Sequence, residues 1–204
     1  MDWKKIKAEA KEKIHGKLWD VWKPALLVGF ISVIISYVGM ALFGEESVAT
    51  SIFELVFSLL LVPAEVGYIS YMLKFIRGQE YGIEELKAFY SKITVLIVMN
   101  ILIFIFVFLG MLALIIPGII LAFGYTMVFY IFVDNQELGA KEYLDKSKEM
   151  MHGYKMNYFL FSLSFIGWIL LCVLIVPMIW VVPYMTTAQT IYYEELKKLK
   201  AEEI

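Results

Sequence analysis

Apolar residues in this chain come in long unbroken runs, with little of the alternation that marks a half-buried strand or a soluble amphipathic helix. Uncharged stretches cover Pro24 to Gly44, Ile93 to Val133 and Met156 to Tyr193, and a fourth, Ser47 to Leu73, is interrupted only by Glu54 and Glu65. One helix through the second stretch would run roughly 60 Å at 1.5 Å per residue, about twice the hydrocarbon thickness of a bilayer. That stretch therefore reads as a hairpin of two helices, as does Met156 to Tyr193. The first and fourth stretches fit one helix each. The pattern predicts an all-α polytopic membrane protein with six transmembrane helices in a single domain, 1-204.

Between the apolar runs lie three segments of another kind. Residues 3 to 21 place Trp3, Ile6, Ala10, Ile14, Leu18 and Val21 at three-to-four-residue spacing with lysines between them. Residues 83 to 90 repeat the spacing with Ile83, Leu86 and Tyr90, and residues 140 to 151 with Ala140, Leu144, Ser147 and Met151. Each predicts an amphipathic helix lying in the headgroup region of one leaflet. Each ends in a lysine, Lys23, Lys92 or Lys155, before an outgoing span. The returning spans carry Pro63, Pro117 and Pro183, with a tyrosine eight to ten residues later. The chain thus divides into three parallel units, 1-79, 80-136 and 137-204, each a surface helix and two spans. Pro117-Gly118 is expected to form the outer turn of the second unit, because proline cannot continue the preceding ladder and glycine permits a reversal. Pro63 leaves two alternatives, one long kinked helix or a separate segment over residues 47 to 62.

Charge adds the sidedness. All 18 Lys and Arg fall before the first span, between spans two and three, between four and five, or after the sixth. The positive-inside rule puts that side, with both termini, in the cytoplasm of a multi-pass cell-membrane protein. The opposite turns carry only Glu45 and Glu46. A cleavable signal peptide ending at Ser47-Val48-Ala49 competes, but its apolar core of about twenty residues exceeds the usual 7 to 15. Cys172 is the sole cysteine, so no disulfide framework and no cysteine metal cluster is expected.

Glu65 stands about 13 Å, nine residues, from Lys74 and so near the middle of a continuous second span. A carboxylate there is costly unless protonated, paired or facing water. Glu54 and Ser58 share its helical face. With Asn100 in the third span and Thr186 and Gln189 in the polar sixth, Glu65 and Glu54 form the candidate ligand-binding set; the alternative is hydrogen bonding within the bundle. Ala25, Gly29, Ser32, Ser36 and Gly39 make a small-residue stripe suited to close helix packing. Lys23, Lys92, Ser147, Lys148 and Lys155 are candidate headgroup contacts, since each cation near an anionic leaflet contributes about 1 kcal/mol. His15 and His152 are expected to face solvent. No phosphate-binding loop, nucleophile elbow or metal-ligand cluster is present, so catalysis, metal and cofactor have no support.

The segment 134 to 168 resembles the signature of a bacterial membrane family known as domain of unknown function 975. The resemblance rests on Asp134-Asn135, Ala140, the Ser147-Lys148-x-x-Met151-x-Gly153-x-Lys155 spacing, Phe159 and the block Leu163 to Trp168, with Pro117-Gly118 before it and Pro183-Tyr184 after it. It covers about residues 115 to 195. The family is similar to membrane parts of some glycerophosphodiester phosphodiesterases, which implies lipid handling and brings no catalytic residue with it. Two functions follow as expectations. One is binding or transport of a lipid or other amphiphile from the inner leaflet, with anionic headgroups as partners. The other is an accessory role in which the small-residue stripe binds another membrane protein or a second copy. A small ion or solute channel is a third, and nucleic acid fits none of them.

Overall fold

The structure is a computed structural model that describes residues 1–45 and 47–202; Glu46 lies outside them. In chain order the helices are α1 (Trp3–Ile14), α2 (Leu18–Phe43), α3 (Val48–Arg77), α4 (Ile93–Ala113), α5 (Ile115–Gly124), α6 (Val128–Asp134), α7 (Ala140–Met150), α8 (Lys155–Leu163), α9 (Ile166–Leu171) and α10 (Met178–Glu202). Short 3-10 turns at Ile83–Lys87, Tyr90–Lys92 and Cys172–Leu174 complete them, and the described residues contain no strand. Five helical stretches are long and apolar enough to cross a membrane: Leu18–Phe43, Val48–Arg77, Ile83–Ala113, Ile115–Asp134 and Lys155–Leu174. The expected sixth, α10, is long enough but too polar to count with them. Its position explains the polarity: Tyr184, Thr187, Thr190, Tyr192 and Tyr193 are all buried among other helices, so they answer to protein rather than lipid.

Three hairpins, α2/α3, α4/α5 and α9/α10, define the shape. Close approach in the first occurs at Gly39, where a Cβ would stand 2.9 Å from the Phe53 ring. In the second it occurs at Gly118, where a Cβ would stand 2.7 Å from the Met111 nitrogen. The reversal itself sits at Leu114, an extended residue (φ −161°, ψ 140°), and Pro117 occupies the first turn of α5, where its missing N–H costs no helical bond. Pro117-Gly118 therefore does not make the turn. Pro117 starts the returning helix, and Gly118 lets it touch α4.

α3 runs unbroken from its Ser47 cap, which accepts from the Thr50 N–H at 3.0 Å, to a left-handed Gly78 at φ 68°. Pro63 is inside it, which settles the alternative left by the sequence. The expected surface helix over residues 3 to 21 is two elements. α1 ends at Ile14, Gly16 turns the chain at φ 74°, and Leu18 and Val21 belong to α2. The segment at 83 to 90 is 3-10 rather than α-helical.

Two further helices are broken where the sequence is continuous in hydropathy. One break, at Tyr125 to Met127, separates α5 from α6, and the other, at Ser164-Phe165, separates α8 from α9.

The linking segments close a ring. The turn Ile83–Lys87 packs on α3, where Gly67 admits it; a Cβ there would meet the Glu85 carbonyl at 2.3 Å. α7 packs on α5 and α6, and α1 buries Ile6, Ala10 and Ile14 and packs along α10. Each segment thus docks on the returning helix of the hairpin before it in cyclic order. Burial concentrates in this ringed end of the molecule, while the hairpin tips expose their apolar side chains.

Candidate functional site

At the ringed end the last turns of α3 and α6 meet α10. Arg77 donates through Nη2 to Asp134, 2.8 Å from Oδ1, and through Nε to Glu194 Oε1 at 3.0 Å. The Tyr193 hydroxyl donates to Asp134 Oδ2 at 2.8 Å, and Lys197 donates to the same oxygen. The guanidinium fork suits two carboxylates from two helices. This knot is structural: both Asp134 oxygens and Glu194 Oε1 are already bonded from within. Its sequence signal was available, since Arg77 is the only arginine in the chain.

Ser147 is fully buried, which overturns its reading as a headgroup contact. Its hydroxyl donates to the Gly124 carbonyl at 2.8 Å and accepts the Met127 N–H at 3.2 Å. The break between α5 and α6 orphans these backbone groups, and one side chain from α7 satisfies both. Lys148, next to it, holds its ammonium 5.1 Å from the Tyr125 ring centre and 5.6 Å from that of Phe106. A hydrogen bond with Tyr125 raises its pKa. Lys155 also approaches Gly124, with its Nζ 3.5 Å from where a Cβ there would stand. Both cations stand near the carbonyl end of α5, where the helix dipole favours them.

α1 supplies the corresponding contact at the other break. Lys7 donates to the carbonyl and hydroxyl of Ser164 and lies 4.3 Å from the Phe165 ring centre. One turn further, Lys11 stands 5.6 Å from both the Trp168 and Tyr184 rings. Beyond it opens a cavity of about 410 Å³ walled by Ile14, Leu18, Trp168, Trp180, Val181 and Tyr184, with Lys11 and His15 also among its lining residues. Apolar walls with a few convergent polar groups are the usual make-up of a small-ligand site, and the volume falls within the roughly 300–1,000 Å³ of such sites. No local sequence pattern points to it, because it joins residues from 11 to 18 with residues from 168 to 184.

The sequence-predicted ligand residues do not converge. Glu54 accepts a hydrogen bond from Ser36 across the α2/α3 hairpin. Gln189 donates to the Tyr158 hydroxyl at 2.9 Å, and the Thr186 carbonyl accepts from Thr190. Asn100 lines a separate apolar groove between α4 and the α5–α6 segment. Glu65 is exposed, with no hydrogen-bond partner among the described residues. It is also nearer the charged end than expected. The Tyr68 and Tyr71 hydroxyls bond the carbonyls of Val21 and Asp20, which sets Glu65 level with the start of α2's uncharged run. α3 has 30 residues, about 45 Å, so its last third projects beyond that level. Of the remaining headgroup candidates, Lys23 pairs with Asp20 at 3.1 Å, and Lys92 is exposed. His15 and His152 are exposed as expected, and no metal-binding group occurs among the described residues. The small-residue stripe is divided: Ser36 and Gly39 face α3, while a Cβ on Gly29 would meet nothing within 4 Å.

Helices of membrane-crossing length and a packed, lysine-ringed end define a helical protein of membrane character. Residues 94–200 match the family described as "Protein of unknown function (DUF975)", more than half of the chain, and the chain belongs to that family. No curated protein matches the chain. No solved structure matches it either.

Proposed function

We propose that this is a multi-pass cell-membrane protein, with both termini in the cytoplasm, that binds an anionic lipid or similar amphiphile of the inner leaflet without chemically altering it. The observation that carries this reading is the cavity beneath α1. Lys11 offers positive charge and His15 a polar ring to a headgroup, while Trp168, Trp180 and Val181 offer an apolar wall to a chain. Tryptophan and tyrosine beside lysine are the residues of a membrane–water interface. On this reading α1 and α7 are the interfacial amphipathic elements, and the ring of linking segments is the threefold arrangement of the three sequence units.

Native mass spectrometry of protein extracted in mild detergent tests it. The wild type should retain a phospholipid, and the Lys11→Gln/Trp168→Ala variant should lose most of it, while Glu65→Gln retains it. Bare protein in the wild type, or equal retention in all three, would refute the reading.

One observation favours a second reading. The open half of the α2 stripe, around Gly29 and Ser32, leaves a flat helix face without a cover. An accessory role would place another membrane protein there, and Gly29→Leu would then abolish its co-purification.

A further inference from the structure

We infer that only the α2/α3 hairpin crosses the bilayer, and that the α4/α5 and α9/α10 hairpins are half-depth insertions whose tips end inside the hydrocarbon. This topology does not depend on any bound ligand; the charges set its levels.

The exposed face of α7 carries Lys141, Glu142, Asp145, Lys146 and Glu149. α7 packs against α4 and α6 as far as Gly124 and Phe106, because Ser147 bonds the Gly124 carbonyl and Lys148 lies over the Phe106 ring. Five charged side chains cannot face hydrocarbon. The parts of α4 and α6 that α7 flanks therefore lie on the water side, and the hydrocarbon begins near Phe106 and Gly124. At the other break, Lys7 and Lys11 stand beside Ser164, Trp168 and Tyr184 and set the same boundary for α9 and α10. In the first hairpin the boundary falls at Lys23.

From these levels to the tips the four arms are short. Val107 to Ala113 spans about 10 Å, and the 10 residues of α5 about 15 Å. Ile166 to Leu174 spans about 13 Å, and Met178 to Tyr184 about 10 Å. None reaches across the ~30 Å hydrocarbon layer, whereas Pro24 to Phe43 covers about 29 Å.

The tips agree independently. The first has Gly44, Glu45 and Ser47, groups that belong in water. The second, Met111 to Ile120, and the third, Val173 to Trp180, contain no charged, amide or hydroxyl side chain, and Leu114, Ile115, Ile116, Val173, Leu174 and Ile175 are the most exposed apolar residues there. Several backbone groups at the turns are paired locally or carry no donor. The Leu114 N–H bonds Gly110 and its carbonyl accepts from Gly118, Ile175 bonds Cys172, and Pro117 and Pro177 have no N–H to satisfy.

Single cysteines in a Cys172→Ser background, at Glu45→Cys, Leu114→Cys, Val176→Cys and Glu137→Cys, test this with a membrane-impermeant maleimide on right-side-out and inside-out vesicles. Glu45→Cys should label from the outside only and Glu137→Cys from the inside only. Leu114→Cys and Val176→Cys should label from neither side, yet label fully once the folded protein is in detergent. Labelling of either tip from either face of an intact membrane would overturn the inference, and leave the lipid-binding reading standing.

Discussion

The ammonium of Lys7 donates to both the carbonyl oxygen and the hydroxyl of Ser164, at 3.0 and 3.1 Å, so that an N-terminal helix completes a helix break more than 150 positions away. The interruption between α8 and α9 leaves that carbonyl without a ladder partner, and a lysine takes its place. Lys7→Met keeps the stem's packing and removes the donors. Hydrogen bonds to charged groups contribute about 1.5–3 kcal/mol, and partial exposure of Lys7 lowers the expected loss to about 1 kcal/mol. Thermal unfolding in detergent reads it.

Lys7 also carries a pH signature. Burial, and then the neighbouring charge of Lys11, hold its pKa below the ordinary 10.5. Between that depressed value and 10.5 the unfolded chain binds more protons than the folded one, so stability from this group rises with pH across the window. Wild type should therefore gain stability relative to Lys7→Met as an alkaline series approaches 10.5. A constant difference between the two would contradict the assignment.

Ser147→Ala removes one hydroxyl and orphans two backbone groups, the Gly124 carbonyl and the Met127 N–H, in a fully buried place. Leaving buried polar groups unpaired costs about 1–3 kcal/mol. The loss should appear as a lowered midpoint of thermal unfolding together with faster hydrogen exchange at Met127. A neighbouring exposed substitution, Lys146→Ala, should leave both unchanged.

What the sequence made legible follows from which forces write themselves into hydropathy. Long exposed apolar surface writes itself into hydropathy, so α4, α5, most of α2 and the tips of the second and third hairpins were readable as uncharged runs. α10 was read as a sixth span from the same kind of uncharged run, yet it is too polar to count with the five, because a helix surrounded by protein is free to be polar: Thr187, Thr190 and Tyr193 are buried. The breaks at Tyr125 and Ser164 were hidden for a related reason. What stabilises them is a distant partner, Ser147 or Lys7, and neither break changes the local composition. Ser147 was misread because a hydroxyl on a highly charged helix gives no sign of which face it occupies. Glu65, counted nine residues from Lys74, stands level with the start of α2's uncharged run, because α3 continues past the level of Lys23 to Arg77.

Arg77 ties α3 to Asp134 and Glu194, and its geometry rather than its charge does so. Lysine at this position offers a compact ammonium that cannot serve two carboxylates in fixed directions. Arg77→Lys should lose about 1–3 kcal/mol, less than the roughly 3–5 kcal/mol of a broken fully buried pair, since the three side chains retain 14% to 24% exposure. Asp134→Asn should lose a similar amount. In a double-mutant cycle the two losses should fall well short of adding, because each variant removes the same bond. Additive losses would mean that Arg77 and Asp134 stabilise the helix ends separately.

Two glycines give opposite expectations for one substitution. At Gly67 an added Cβ would stand 2.3 Å from the Glu85 carbonyl oxygen and 2.6 Å from the Leu86 Cα, both backbone atoms that cannot swing aside. The 3-10 turn must then lift from α3, which strains the bonds from Ser70 and Lys74 to Glu85. Gly67→Ala should cost about 1–3 kcal/mol, as overpacking does. At Gly29 the same methyl meets open space, and the gain in helix propensity should stabilise by about 0.5–1 kcal/mol. Both variants measured by thermal unfolding in one detergent should move in opposite directions. Destabilisation by Gly29→Ala in the membrane, absent in detergent, would instead reveal a helix packed on that face of α2, which a monomer leaves bare.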